Sequence, residues 1–229
     1  MTKINIKGPI ISSQQQWIYD YFGIEATSPS KVNKILDSIM TNEDLEIEIN
    51  SSGGDISAGS EIYTTIRGYN KGNKKTNIVG SAFSAGSVVA MASESYMSPT
   101  AMMMIHKVSS GTDGNSDDMD KMSKILKVAD RTVANAYIAK SGMTMKDALK
   151  MMAEETWLTA QQAKDKGLID GIMFEDIKST QLNNSFSNMI PDEIINKMQN
   201  ERLNNLSKSK LKNEEQLNKN YLEGVLSKW

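Results

Sequence analysis

The sequence predicts an α/β fold built on a parallel sheet, and three observations carry that expectation. Segments of strand and helix character alternate through the first hundred residues, the order that parallel crossover units produce. Residues 45–50, LEIEIN, alternate apolar and polar side chains without a break, as a half-buried strand does. Residues 116–140 read as one long helix. A chain of 229 residues can bury a substantial core as one large domain with an appendage.

The elements follow in order. An opening strand is expected over 3–13, KINIKGPIISS, alternating weakly and stopping at Gly8-Pro9. Residues 28–40 place apolar side chains at 32, 35, 36 and 39, one face of a helix, with Ser30 as its N-cap. The strand at 45–50 runs into a turn cluster, SSGGD, and 56–72 reads as a helix despite its β-branched residues. A further strand, KTNIV at 75–79, leads through small residues into a short helix ending near Ala92. ESYMSP and AMMMIH are two short strands, and KVSSGTDGN is a loop. The acidic first turn of the 116–140 helix complements its dipole, and Ser141-Gly142 ends it. Residues 144–155 form another helix, and Thr159 caps the next. After about Phe174 the chain turns to Asn, Lys, Glu and Ser, so 176–229 is expected to be a polar, partly helical or disordered extension of a 1–175 domain. There is no internal repeat of fixed period.

Composition excludes several kinds of chemistry. A net charge of −2 offers no basic field to nucleic acid or an anionic membrane. The apolar stretches at 88–92 and 101–105 are far too short to span a bilayer, and MTKINIKGPI lacks the apolar core of a signal peptide. With no cysteine, disulfides, thiol nucleophiles and cysteine–zinc sites are impossible. The single histidine, His106, must carry any histidine-dependent catalysis, and a metal site would need mainly carboxylates. No cofactor or metal is expected, and the cysteine-free, leaderless sequence fits a cytoplasmic protein.

Three features could carry chemistry. In TNIVGSAFSAGSVVAMA, 76–92, Gly80, Ala82, Ala85 and Gly86 permit a sharp strand-to-helix turn. Such a turn can expose the Ser84 hydroxyl at a helix N-terminus, although Ala82 breaks the strict G-x-S-x-G pattern. Ser81 and Ser87 are rival hydroxyls, and the turn also reads as simple packing. His106 sits where a buried strand meets a polar loop, and a neutral imidazole there can take a hydroxyl proton and return it to a leaving amine. A histidine satisfied by structural hydrogen bonds is the plainer reading. In INSSGGDISAG, 49–59, a strand ending in two glycines can aim N–H groups at an oxyanion, or can be only a turn. No phosphate-loop pattern occurs. Taken together in the order glycines, serine, histidine, they fit neither the α/β-hydrolase nor the chymotrypsin arrangement easily.

At these residues the sequence resembles the Clp protease proteolytic subunit (ClpP) family of serine peptidases, and most closely the phage and prophage ClpP-like head maturation proteases. INSSGGDISAGSEIYTTIR resembles the family's glycine-rich segment, with Ser52 where proline commonly stands. VGSAFSAGSVVAMA resembles the nucleophile segment, AMMMIHKVSSG the histidine segment, and EETWLTAQQAKDKGLIDGI the segment carrying the acid. The resemblance covers about 3–175. It implies a β-β-α superhelix, shared with crotonases, from which the 116–140 helix protrudes as a handle. It implies Ser84 as nucleophile, His106 as base and Glu155 as the acid where most members have aspartate, with Glu154 and Asp170 as other carboxylates. Gly53 and Ala85 match the oxyanion-hole positions, and Gly54, Asp55 and Ile56 the strand edge that holds an extended peptide.

The resemblance further implies a protein or peptide substrate and a homo-oligomeric ring, heptameric or stacked as a double ring. Housekeeping members carry a longer N-terminal segment that engages an ATPase. This chain begins almost at its first strand, so the expectation is a stand-alone maturation protease, with a Clp ATPase as the alternative partner. Two other readings stand beside it: a ring-forming scaffold with a weak triad, and, more remotely, a crotonase-like acyl-CoA enzyme.

Overall fold

A computed structural model describes residues 1–40, 42–175, 196–205 and 208. The chain divides into two units, Met1–Lys178 and Ser179–Trp229. Of the second unit only 196–205 and 208 are described, as helix that is exposed apart from half-buried Leu203. The rest of the expected extension lies outside the described residues.

The first unit is α/β, as the alternation predicts. Strands β1 (Thr2–Ile10), β2 (Leu45–Gly54), β3 (Lys74–Phe83), β4 (Glu94–Met97) and β7 (Gly171–Ile172) lie side by side in that order, all parallel. β5 (Met102–Ile105) runs parallel to β3, and β6 (Thr156–Thr159) antiparallel to β5. Ile78 pairs with both Ile49 and Met97, while Ala82 pairs with both Ser51 and Met103. One edge of β3 is therefore shared by β4 along its first half and by β5 along its second. That division opens the sheet where β3 ends, one residue before Ser84.

The core lies on the sheet face covered by helices. Ile4, Ile6, Ile47, Ile49 and Ile78 are fully buried with Ile62 and Ile66 of α3 (Ile56–Gly68) and Val89 of α4 (Ala85–Ala90). Each such side chain contributes about 2 kcal/mol of apolar burial, which is why β-branched residues are kept in α3. Helix α5 (Ser116–Ser141) starts on an Asn115–Asp118 capping box and ends at Gly142 with φ 74°. Its buried residues, Asp130 to Tyr137, all lie in its second half. Ile125 and Val128 are respectively 59% and 65% exposed, so the first half stands away from the core, as expected of a handle.

Several expected boundaries move. β1 continues through Gly8-Pro9 because Gly8, at φ +67°, takes up a bulge where a Cβ would meet the Glu25 carbonyl oxygen at 2.1 Å. SSGGD is not a separate turn: β2 runs through both glycines, and β3 extends past Val79 to Phe83. Ser28, not Ser30, caps α2 (Pro29–Asp37), its Oγ accepting the Lys31 N–H at 3.3 Å. Proline at the first helical position favours that start. Helix α3 stops at Gly68 rather than 72. Helix α1 (Gln16–Phe22) has no counterpart in the sequence reading, because its apolar Trp17, Ile18 and Tyr21 stay partly exposed and give no core-facing pattern. α6 (Met145–Ala153) and α7 (Ala160–Asp165) lie where the caps place them, α7 behind a Thr159–Gln162 capping box.

Candidate active site

Strand register brings the candidate residues together. Phe83 pairs with Met104, and the Ser84 N–H donates to the Met104 carbonyl at 2.9 Å. Ser84 is thereby held level with the end of β5, and His106 is the next residue beyond that strand. His106 Nε2 lies 2.7 Å from Ser84 Oγ. Both side chains are half-buried and border a cavity of about 550 Å³ whose wall includes Ile56, Met104, Val108, Val133 and Tyr137.

Ser84 occupies an unusual backbone conformation, φ 52° and ψ −122°, immediately before the first residue of α4. A non-glycine residue at positive φ costs on the order of 1 kcal/mol or more and persists only where its surroundings hold it. The Ser84 carbonyl accepts from Ser87 Oγ at 2.6 Å and from the Ser87 N–H at 2.9 Å. Gly53 packs against the turn so closely that a Cβ there would meet the Phe83 oxygen at 2.6 Å and the Ser84 Cβ at 2.7 Å. The small residues thus make a bend that aims one hydroxyl at one imidazole. Ala85, buried at the first position of α4, has its N–H in the helix turn where no intrahelical acceptor exists.

The glycine segment divides its work. Gly53 is buried, and its N–H donates to Ser51 Oγ at 3.1 Å; Ser51 Oγ in turn donates to the Gly8 carbonyl at 2.6 Å. Gly54, Asp55 and Ile56 line the cavity. The Asp55 carboxylate is committed to capping α3, accepting the Ala58 N–H at 2.9 Å, and the Asp55 backbone N–H donates to the Ile10 carbonyl.

Glu155 arrives by a different route. β5 and β6 pair antiparallel with Ile105 opposite Thr156, so the same register extended by one residue sets Glu155 across from His106. The Lys107 N–H donates to the Met152 carbonyl at 3.0 Å, closing that corner. Glu155 sits at φ 48°, its side chain is exposed, and among the described residues its carboxylate makes no hydrogen bond. The structure therefore brings Ser84 and His106 into contact, while Glu155 faces His106 by register alone. The other carboxylates are engaged elsewhere. Glu154 pairs with Lys150 at 3.9 Å, and Asp170 accepts the Ser95 N–H at 2.7 Å and pairs with Lys140. The imidazole contact is to Ser84 Oγ; the Ser87 hydroxyl is buried against Tyr137 and the Ser84 carbonyl, and among the described residues no hydrogen bond joins Ser81 to His106.

The Clp protease family model matches residues 26–176, the span that carries all of these groups. The chain belongs to the Clp protease family. Its family is one of serine peptidases, and the chain is an enzyme of that class. It is 33% identical over 143 residues to the ATP-dependent Clp protease proteolytic subunit of Deinococcus radiodurans, covering 61% of this chain and 69% of that protein. To the subunit of the same name from Ligilactobacillus salivarius it is 36% identical over 143 residues, covering 60% and 71%. It is 30% identical over 131 residues to ATP-dependent Clp protease proteolytic subunit 1 of Chlamydia abortus, covering 55% and 68%. Among the described residues no group of acidic or histidine side chains could hold a metal, and no helix is long and apolar enough to cross a membrane.

Three residues of this Clp-family site, Ser51, Tyr137 and Asp130, escape a reading of motifs, and a fourth, Ser87, is read there only as a rival hydroxyl. Ser51 accepts the Gly53 N–H, Ser87 and Tyr137 meet at 2.9 Å behind Ser84, and buried Asp130 accepts the Val108 N–H at 2.8 Å. Asp130 did leave a trace: it lies three residues before Val133 and seven before Tyr137, on the apolar stripe of α5.

Proposed function

We propose that the chain is an endopeptidase in which Ser84, His106 and Glu155 act as nucleophile, base and orienting acid. The observation that carries this reading is the 2.7 Å contact between Ser84 Oγ and His106 Nε2 at a backbone bend of φ 52°. Ser84 Oγ bonds to the scissile carbonyl carbon as His106 Nε2 takes its proton. The C–N bond then breaks, and the same proton passes to the leaving amine. Water attacks the acyl-serine with His106 again as base, releasing the acid product and restoring the hydroxyl. The Ala85 N–H and the N–H of Gly53, exchanged from Ser51 Oγ, hold the oxyanion. Gly54 to Ile56 flank the substrate backbone in the cavity without offering a free strand edge, because the Asp55 N–H is bound to the Ile10 carbonyl and Ile56 opens α3. The apolar part of the wall, Ile56, Met104, Val108 and Val133, accepts an apolar side chain beside the scissile bond. Glu155 completes the triad when its carboxylate turns to the imidazole Nδ1, a movement its exposure permits.

A fluorophosphonate probe tests the assignment. Labelling at Ser84, mapped by peptide mass, and loss of both labelling and cleavage in Ser84→Ala are expected. Labelling of another hydroxyl, or parental cleavage by Ser84→Ala, would sink it. A ring assembly without labelling would favour the scaffold reading instead.

The motif resemblance supports a finer role as a phage or prophage head maturation protease that works without an ATPase. The relatives' names, each "ATP-dependent", favour the second reading, a proteolytic subunit fed by a Clp ATPase. Cleavage of a protein substrate measured with and without a Clp ATPase and ATP separates the two. The exposed Ile125 and Val128 on α5 support assembly into a ring through the handles, read by native mass. Residues 1–175 form the peptidase domain on this reading, and a chain ending at Glu175 should keep its activity; an inactive but folded truncation would refute that.

A further inference from the structure

The amide joining Ser84 to Ala85 carries two groups pointing in opposite directions, the Ser84 carbonyl and the Ala85 N–H, because a trans peptide is planar. Whatever fixes one fixes the other. The Ser84 carbonyl accepts from the Ser87 N–H at 2.9 Å and the Val88 N–H at 3.3 Å, bonds that any sequence would form in a first helical turn. It also accepts from Ser87 Oγ at 2.6 Å, and this bond depends on a side chain.

The Ser87 hydroxyl has one proton, and the Ser84 carbonyl takes it. Its contact with Tyr137 Oη at 2.9 Å must then run the other way, with Tyr137 donating. Burial pushes the Tyr137 hydroxyl up to about 12, against a smaller downward pull from the Ser87 bond, so the donor keeps its proton at working pH. A directional relay results, from Tyr137 to Ser87 to the Ser84 carbonyl. Its Tyr137–Ser87 bond is buried, where such bonds strengthen one another, and it links α5 to the nucleophile turn across 50 residues of sequence.

We propose that Tyr137 is a positioning residue: through Ser87 it holds the Ser84–Ala85 peptide plane so that the Ala85 N–H meets the developing oxyanion. This rests on Ser84 being the nucleophile. A tyrosine that merely filled space would affect stability and substrate binding alike. A residue that sets the oxyanion donor acts mainly on kcat, because that N–H gains in strength as charge develops.

Tyr137→Phe keeps the ring and removes only the donor. Its kcat should fall about tenfold with KM within about twofold. Affinity for a peptide boronate, which becomes tetrahedral on the nucleophile, should fall in step with kcat. Ser87→Ala breaks the relay at its middle and should lower kcat at least as far, and the double variant should be no worse than Ser87→Ala alone. Rates are expressed per fluorophosphonate-labelled site, so partial unfolding does not imitate the effect. Should Ser87→Ala not fold, the kcat and KM of Tyr137→Phe decide alone. An unchanged kcat, a loss carried wholly by KM, or additive losses in the double variant overturns the relay. Parental cleavage by Ser84→Ala would instead overturn the peptidase reading beneath it.

Discussion

Two residues of this site hold positive φ without being glycine, Ser84 at 52° and Glu155 at 48°, and they are held in different ways. Ser84 is fixed from every side. Its N–H is bound by Met104, its carbonyl by Ser87 and Val88, and Gly53 lies so close that a Cβ there would meet the Ser84 Cβ. Glu155 has a single long backbone bond, from its N–H to the Met152 carbonyl at 3.4 Å, and a carboxylate free among the described residues. The proposed nucleophile is therefore pre-organised, while the proposed acid is delivered to its address by strand register and left to settle. That asymmetry follows the chemistry: the attacking atom and the oxyanion donor need accurate placement, whereas an acid that orients an imidazole tolerates a rotamer change.

The comparison breaks most readily at Gly53. Gly53→Ala would place a methyl 2.6 Å from the Phe83 oxygen and 3.0 Å from the Ala85 nitrogen, both backbone atoms that cannot swing aside. The turn must shift as a unit. A displacement near 1 Å at a reacting group costs about a hundredfold in rate, and steady-state kcat should fall by at least that much. A Gly53→Ala enzyme with parental kcat would show that the turn is looser than its bonds suggest.

Glu155→Gln probes the other side. A tightly coupled triad acid is worth roughly ten-thousandfold. Here the carboxylate makes no bond to His106 at rest, so the loss in kcat should be about tenfold. A loss approaching that of a tightly coupled acid would show that Glu155 is locked onto the imidazole in the working enzyme, and the contrast with Ser84 would vanish.

What the sequence disclosed divides along the same line. The turn at Ser84 was legible because its cause is local: Gly80, Ala82, Ala85 and Gly86 permit a bend within a few residues. His106 was legible as the sole imidazole at the end of an apolar strand. Glu155 was reachable only through resemblance, since its place depends on β5–β6 register, and β6 is four residues long, too short to announce itself by alternation. The braces were hidden for the same reason. Ser51 reaches Gly8, Asp130 reaches Val108 and Tyr137 reaches Ser87 across 43, 22 and 50 positions, and no local pattern encodes such pairs. The mistaken end of β1 has its cause in Glu25, whose carbonyl crowds Gly8.

Alkaline pH should separate the two regions as well. Tyr137 braces the Ser84 turn, and its burial raises the folded hydroxyl to about 12, above the value near 10 of an unfolded chain. Its stabilising contribution is complete below about pH 10 and is lost as pH climbs toward about 12, where the unfolded state sheds the proton first. Denaturant midpoints should fall across that window in the parent and fall less steeply in Tyr137→Phe. Equal slopes would mean that other tyrosines govern the alkaline limit.

The smallest effect is expected at Glu155 itself. A left-handed backbone costs a non-glycine residue about 1 kcal/mol, and glycine avoids that cost but loses more freedom on folding. Glu155→Gly should therefore raise stability by a net of about 0.5 kcal/mol, a shift of roughly 1 to 2 °C in Tm, while lowering kcat as Glu155→Gln does. Strain kept at the acid's position in exchange for a carboxylate across from His106 is then measurable as a trade of stability for rate. A glycine variant that is less stable than the parent would mean that the Glu155 side chain makes a stabilising contact of its own, and the turn would have to be regarded as held rather than left to settle.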